Sequence, residues 1–140
     1  MEYRRFGDRI VARIDRGEEV VSSIEKIARA ESIKLGKVSA LGALGDFTVG
    51  VYKVSEQKYY PNHFTGDFEI VSLFGTICTK EGEYYGHFHL SAGDGEGRVF
   101  GGHLNEGIIS ATCEMVIDII DGQVERQVDS DTGLNIYKFL

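Results

Sequence analysis

Three histidines within 17 positions, His87, His89 and His103, are the residues of this chain best suited to chemistry. A neutral imidazole offers one ring nitrogen as a lone pair, which makes histidine a common metal ligand near neutral pH. His87 and His89 are two apart. In a strand that spacing puts both rings on one face, about 6.6 Å apart along the chain. Tyr85 shares that side, while Tyr84, Phe88 and Leu90 take the other, toward a core. Two imidazoles so placed can chelate one ion, at nitrogen to metal distances of about 2.0–2.1 Å for zinc.

A third ligand requires the chain to fold back. Ala92-Gly93-Asp94-Gly95-Glu96-Gly97 has the composition of a turn, and a hairpin centred on Gly95 sets position 103 opposite position 87. Gly86, Gly101 and Gly102 flank the histidines, and the missing side chains would leave room for an ion and its further ligand. Three neutral nitrogens without a thiolate favour zinc over other imidazole-binding metals such as iron, nickel or copper. A site of three protein ligands is an incomplete tetrahedron, open to water, a small molecule or a residue of a neighbouring subunit. The remaining histidine, His63, lies beside Pro61 and Asn62 in a loop-like setting and has no partner at ligand spacing.

These side chains need a rigid scaffold, and most of the chain alternates with the period of a strand. Asp8 to Ile14, Phe47 to Tyr52, Lys58 to Tyr60, Glu83 to Leu90, Arg98 to His103, Ala111 to Ile120, Gln123 to Val128 and Leu134 to Phe139 all do so. Asp67 to Thr79 is apolar on both faces, as in a central strand covered by a helix on one side and a second layer or another subunit on the other. One segment has helical period: Val20, Ile24, Ile27 and Ala28 share a stripe. Asp15 with Glu18 resembles a capping box, and Gly36 suits a C-terminal stop, which predicts a helix of about four turns over about residues 18–34. The expected fold is a single α+β domain, residues 1–140, with a mostly antiparallel sheet of about seven strands packed on that helix. Eighteen glycines against one proline fit turns, bulges and close backbone approaches in such a sheet.

Composition narrows the function classes. With 15 basic and 22 acidic residues the formal charge is -7, which disfavours nucleic acid as a partner. Arg4, Arg5, Arg9, Arg13 and Arg16 form the one basic concentration, but Glu2, Asp8, Asp15, Glu18 and Glu19 are interleaved with them. From Asn105 onward seven acidic residues face only Arg126 and Lys138. The longest apolar stretch, Val71 to Cys78, is too short to span a bilayer, and the opening residues lack the apolar core of a secretory signal. A cytoplasmic protein without membrane attachment is expected. Cys78 and Cys113 lie in apolar strands without a metal or redox spacing, as buried free thiols of a reducing compartment do.

The histidine segment also resembles a known family, the plants and prokaryotes conserved domain, in its stand-alone prokaryotic type. The likeness runs through Arg16-Gly17-Glu18, Lys37-Val38-Ser39-Ala40-Leu41-Gly42-Ala43-Leu44, Gly66-Asp67-Phe68-Glu69-Ile70-Val71-Ser72-Leu73-Phe74-Gly75, Gly86-His87-Phe88-His89-Leu90 and Arg98-Val99-Phe100-Gly101-Gly102-His103-Leu104. It implies a compact α+β fold, homotrimeric assembly and a metal at His87, His89 and His103. In plants the domain follows an AT-hook in DNA-binding proteins, and prokaryotic relatives inherited a DNA-binding label from that association. This chain has no Arg-Gly-Arg-Pro core, and Asp67 stands where the plant block has arginine.

Three functions remain open at this point. The favoured one is a trimeric, metal-binding or small-ligand module without turnover, for which Tyr59, Tyr60 and Tyr85 are exposed anchors if a partner protein docks. DNA binding is the second, disfavoured by charge. The third is a zinc-dependent hydrolase or lyase acting on a small molecule, in which metal-bound water is the nucleophile. That chemistry needs a general base, for which Glu114 is the candidate and Glu69 the alternative, since Glu114 interrupts an apolar strand.

Overall fold

A computed structural model describes all 140 residues. Segment Arg9–Asp15 shows the logic of the scaffold: Ile10, Ala12 and Ile14 are buried while Arg9, Val11 and Arg13 face out. In chain order the elements are β1 (Glu2–Phe6), β2 (Arg9–Asp15), α1 (Val20–Ala30), β3 (Gly36–Lys53), β4 (Lys58–Lys80), β5 (Glu83–Gly93), β6 (Val99–Ile119), β7 (Glu125–Val128) and β8 (Asn135–Lys138). Six strands form one antiparallel sheet in the order β1-β2-β6-β3-β4-β5, and β7 pairs only with β8. Because β6 also pairs with β5, the sheet curls until its far end meets its own middle.

The helix is shorter than its apolar stripe suggests. It has 11 residues, about three turns, and starts at an N-cap that the sequence does not single out: the Glu19 carboxylate accepts from the backbone N–H of Val21 and Ser22. Glu19 also accepts from the Gly107 N–H at 3.1 Å, which ties the helix start to β6. Asp15 and Glu18 form a turn ahead of the helix, with the Asp15 N–H donating to the Glu18 carboxylate at 2.8 Å. Ser32, at φ 53°, stops the helix in the left-handed conformation, so Gly36 is free to open β3.

Three strands are longer than their alternation indicates. β3 absorbs Phe47 to Tyr52, β4 joins Lys58 to Tyr60 with Asp67 to Thr79, and β6 joins Arg98 to His103 with Ala111 to Ile120. Register shifts between Ala40 and Gly42, between Leu44 and Asp46, and between Ile70 and Ser72 bend these strands without ending them. Gly42 permits one such bend. It lies at φ 151°, and a Cβ there would come within 2.3 Å of the Thr112 carbonyl oxygen.

One face of the curled sheet and the stripe of α1 enclose a single core. Ile10, Ile14, Ile24, Ile27, Leu44, Phe47, Phe88, Ile109, Met115 and Ile117 are fully buried in it. Phe47 stacks on Phe64 at 5.1 Å and meets Phe68 edge-on at 5.0 Å, which locks β3 to β4. The other face of β4 is bare: Val71 is 60% and Phe74 50% exposed, and Leu41 and Val99 are exposed nearby. No helix is long and apolar enough to cross a membrane.

Candidate metal centre

The hairpin between β5 and β6 builds the site. Asp94 closes it: its carboxylate accepts from the Glu96 and Arg98 backbone N–H groups at 2.9 Å each and from the Arg98 side chain at 2.8 Å. The Asp94 N–H donates to the Arg98 carbonyl, also at 2.9 Å. The turn is centred one residue later than Gly95, so His103 pairs directly with His89 and not with His87, which lies opposite Thr76 of β4. The rings converge nonetheless. Their centroids are 5.1 Å apart for His87 and His89, 5.1 Å for His87 and His103, and 5.8 Å for His89 and His103. One nitrogen from each lies within 4.8 Å of the other two.

Electrostatics prepares these groups to act as lone-pair donors. Burial pulls His87 down to about 4, with the positive charges of His103, Arg126 and His89 acting in the same direction. Burial, and then His89, also lowers His103. Both rings are therefore neutral at pH 7. His103 is further placed by Tyr59, whose hydroxyl donates to the His103 carbonyl at 3.1 Å and also contacts Asn105, and whose ring meets the imidazole edge-on at 5.8 Å.

The histidines open on a cleft of about 1020 Å³. Its walls include Tyr52, Tyr59, Phe74 and Tyr85 from the sheet, and Arg126, Leu134, Asn135, Ile136 and Tyr137 from the β7–β8 hairpin. Sequence reasoning treated Tyr59 and Tyr85 as exposed docking anchors; both are partly buried and line this cleft. It missed the hairpin's share altogether. The available signal was Arg126, an arginine isolated among acidic neighbours.

Other expected residues lie elsewhere. Glu114 is exposed on β6, opposite Arg13 of β2, and Glu69 is exposed opposite Gly93; neither lines the cleft. Strand alternation explains Glu114, since Cys113 and Met115 point into the core on either side of it. Gly86 makes no room for an ion, because a side chain there would strike the Tyr84 hydroxyl and the Phe88 ring. Gly101 and Gly102 do line the cleft, and at Gly102 a Cβ would meet the Gly50 carbonyl at 2.5 Å. His63 belongs to β4, not to a loop, and its ring contacts Asp46 at 2.8 Å. Cys78 and Cys113 are buried free thiols. Three of the five clustered arginines are paired locally: Arg9 with Asp118 at 3.0 Å, Arg13 with Asp15 at 2.7 Å and Arg5 with Glu31 at 3.2 Å.

Comparison with known proteins decides the family, because the model of the Plants and Prokaryotes Conserved (PCC) domain matches residues 1–121. The chain belongs to this family. A structure from Bacteroides thetaiotaomicron, bearing a provisional DNA-binding name, superposes with a TM-score of 0.96 at 26% identity, covering 99% of this chain and 96% of that one. A metal-containing protein of Archaeoglobus fulgidus is 28% identical, with a TM-score of 0.87 and coverage of 99% and 97%. A plant- and prokaryote-conserved protein of Pyrococcus horikoshii is also 28% identical, with a TM-score of 0.85 and coverage of 99% and 94%. Among curated proteins, the bifunctional protein GlmU of a Synechococcus strain is 32% identical over 120 residues, 84% of this chain. The chain spans only 18% of that relative's length.

Proposed function

We propose that this PCC domain holds one divalent metal ion, zinc by its donor chemistry, at His87, His89 and His103, and works as a homotrimeric module that binds a small ligand at the open metal position. The convergence of three imidazoles from two paired strands carries the reading. The donor set fits the ion. Three ring nitrogens within 4.8 Å of one another suit a single ion held at the zinc to nitrogen distance of about 2.0–2.1 Å. A bound zinc ion supplies a Lewis-acidic position facing the cleft. The protein's own contribution is to keep His87 and His103 neutral, hold His103 through Tyr59 and wall the cleft with aromatic side chains. The name of the Archaeoglobus relative supports the metal, and occurrence of the domain within a bifunctional protein supports an accessory role.

The exposed apolar strip on β3, β4 and β6 supports the trimer. Val71 and Val99 both approach Gly93, so they form one patch, and such a patch on a water-facing sheet favours a second copy. DNA binding is the second reading, favoured by the name of the Bacteroides relative. The local pairing of Arg5, Arg9 and Arg13 weighs against it. Turnover is not part of the proposal, since no aspartate or glutamate lines the cleft to serve as base.

Elemental analysis of protein expressed with zinc tests the metal. The expected result is close to one ion per chain, lost in His87→Ala, His89→Ala and His103→Ala, each of which weakens zinc by more than about a hundredfold. A metal-free wild type would overturn the proposal.

A further inference from the structure

The charge lining the cleft runs opposite to that of the molecule. A chain with 22 acidic residues places none of them along the cleft, whereas Arg126 lies there with the three histidines. Arg126 is partly buried and makes no ion pair. Its Nε donates to Cys78 Sγ at 3.2 Å and one terminal nitrogen donates to the Asn135 carbonyl at 2.8 Å, which leaves other N–H groups of the guanidinium free. The group cannot wander: its central carbon lies 4.8 Å from the Tyr85 ring and 4.5 Å from the Tyr137 ring. Tyr85 is two residues from His87 on the same strand, so the guanidinium lines the same cleft as the histidines. A fixed cation without a carboxylate partner, lining the same cleft as three convergent imidazoles, is a place for an anion.

We infer that Arg126 recognises the carboxylate of a small aromatic acid that enters the histidine cleft. This rests on the metal-binding reading above and names the ligand class for the same site. The class follows from the walls. Tyr52, Tyr59, Phe74, Ile136 and Tyr137 offer apolar and aromatic surface for the body of the ligand, while the planar guanidinium matches a carboxylate and anchors it at one end. Arg126 and Tyr137 belong to the β7–β8 hairpin, which lies beyond residue 121, where the family match ends.

Benzoate, with the neutral benzamide as control, tests this on the full chain by isothermal titration, in both the zinc-loaded and the chelator-treated protein. Benzoate is expected to bind the wild type and benzamide to bind at least about tenfold more weakly; Arg126→Gln is expected to weaken benzoate by about 10–100-fold. Cobalt uptake, read from visible absorption without benzoate, stays unchanged in that variant. Should Arg126→Gln unfold the hairpin, Arg126→Lys provides the second arm: it keeps the charge but loses the planar fork of donors, and it is expected to weaken benzoate by about tenfold. No benzoate binding by the wild type, equal binding of benzamide, or undiminished binding by both variants overturns the inference. Failure to take up cobalt would instead overturn the metal reading, and the loss of benzoate binding in the variants would still decide the role of Arg126.

Discussion

Cys113 shows how strongly a single residue here is governed by its surroundings. Burial pushes its thiol up to about 11, and the charge of Glu114 adds to the effect. The folded protein thus keeps a proton that the unfolded chain releases from about pH 9, so this group's contribution is intact below pH 9 and declines between about pH 9 and 11. Ellman's reagent at pH 8 is expected to find neither thiol in the native protein and both after denaturation, and the alkaline loss of stability is expected to be shallower in Cys113→Ala. Rapid labelling of native protein would contradict the burial. At this scale the sequence was most informative about the histidines, because a two-residue spacing in a strand fixes the face without knowledge of anything distant. Arg126 was not legible as a site residue, since its place depends on where a separate hairpin docks, and no local pattern encodes that.

At the scale of elements, Phe47 joins β3 to β4 through Phe64 and Phe68 and is fully buried. Phe47→Ala leaves a large cavity and is expected to cost about 3–5 kcal/mol in urea unfolding; a change below about 1 kcal/mol would contradict the assigned core. Alternation located nearly every strand but not its length, because the bulges at Gly42 and Val71 shift the pleat without breaking the hydrogen-bonded ladder. β1 was missed, as Glu2-Tyr3-Arg4-Arg5-Phe6 has an almost wholly exposed pattern and is held by pairing with β2. The helix stripe was correct and its ends were not: Glu19 caps it through a contact with Gly107 that only the fold creates. The hairpin was foreseen with its centre one residue early. The histidines still converge because a curled sheet tolerates that shift when long side chains face one cleft.

For the whole molecule, the strip formed by Leu41, Val71, Phe74 and Val99 makes a definite demand. Leu41 and Val71 are 57% and 60% exposed in a single copy, so Leu41→Asp with Val71→Asp is expected to turn a trimer into a folded monomer in analytical ultracentrifugation. A monomeric wild type would remove the assembly. The net charge of -7 acquires a sharper meaning here: acids pair with Arg5, Arg9 and Arg13, while none lines the cleft. The central claim is that one ion sits among three imidazoles in that cleft. It is tested most directly by anomalous scattering at the zinc edge from crystals of the zinc-loaded protein. The expected result is a single strong peak per chain at about 2.0–2.1 Å from one ring nitrogen each of His87, His89 and His103; no peak there, or a peak bound by other residues, would contradict it.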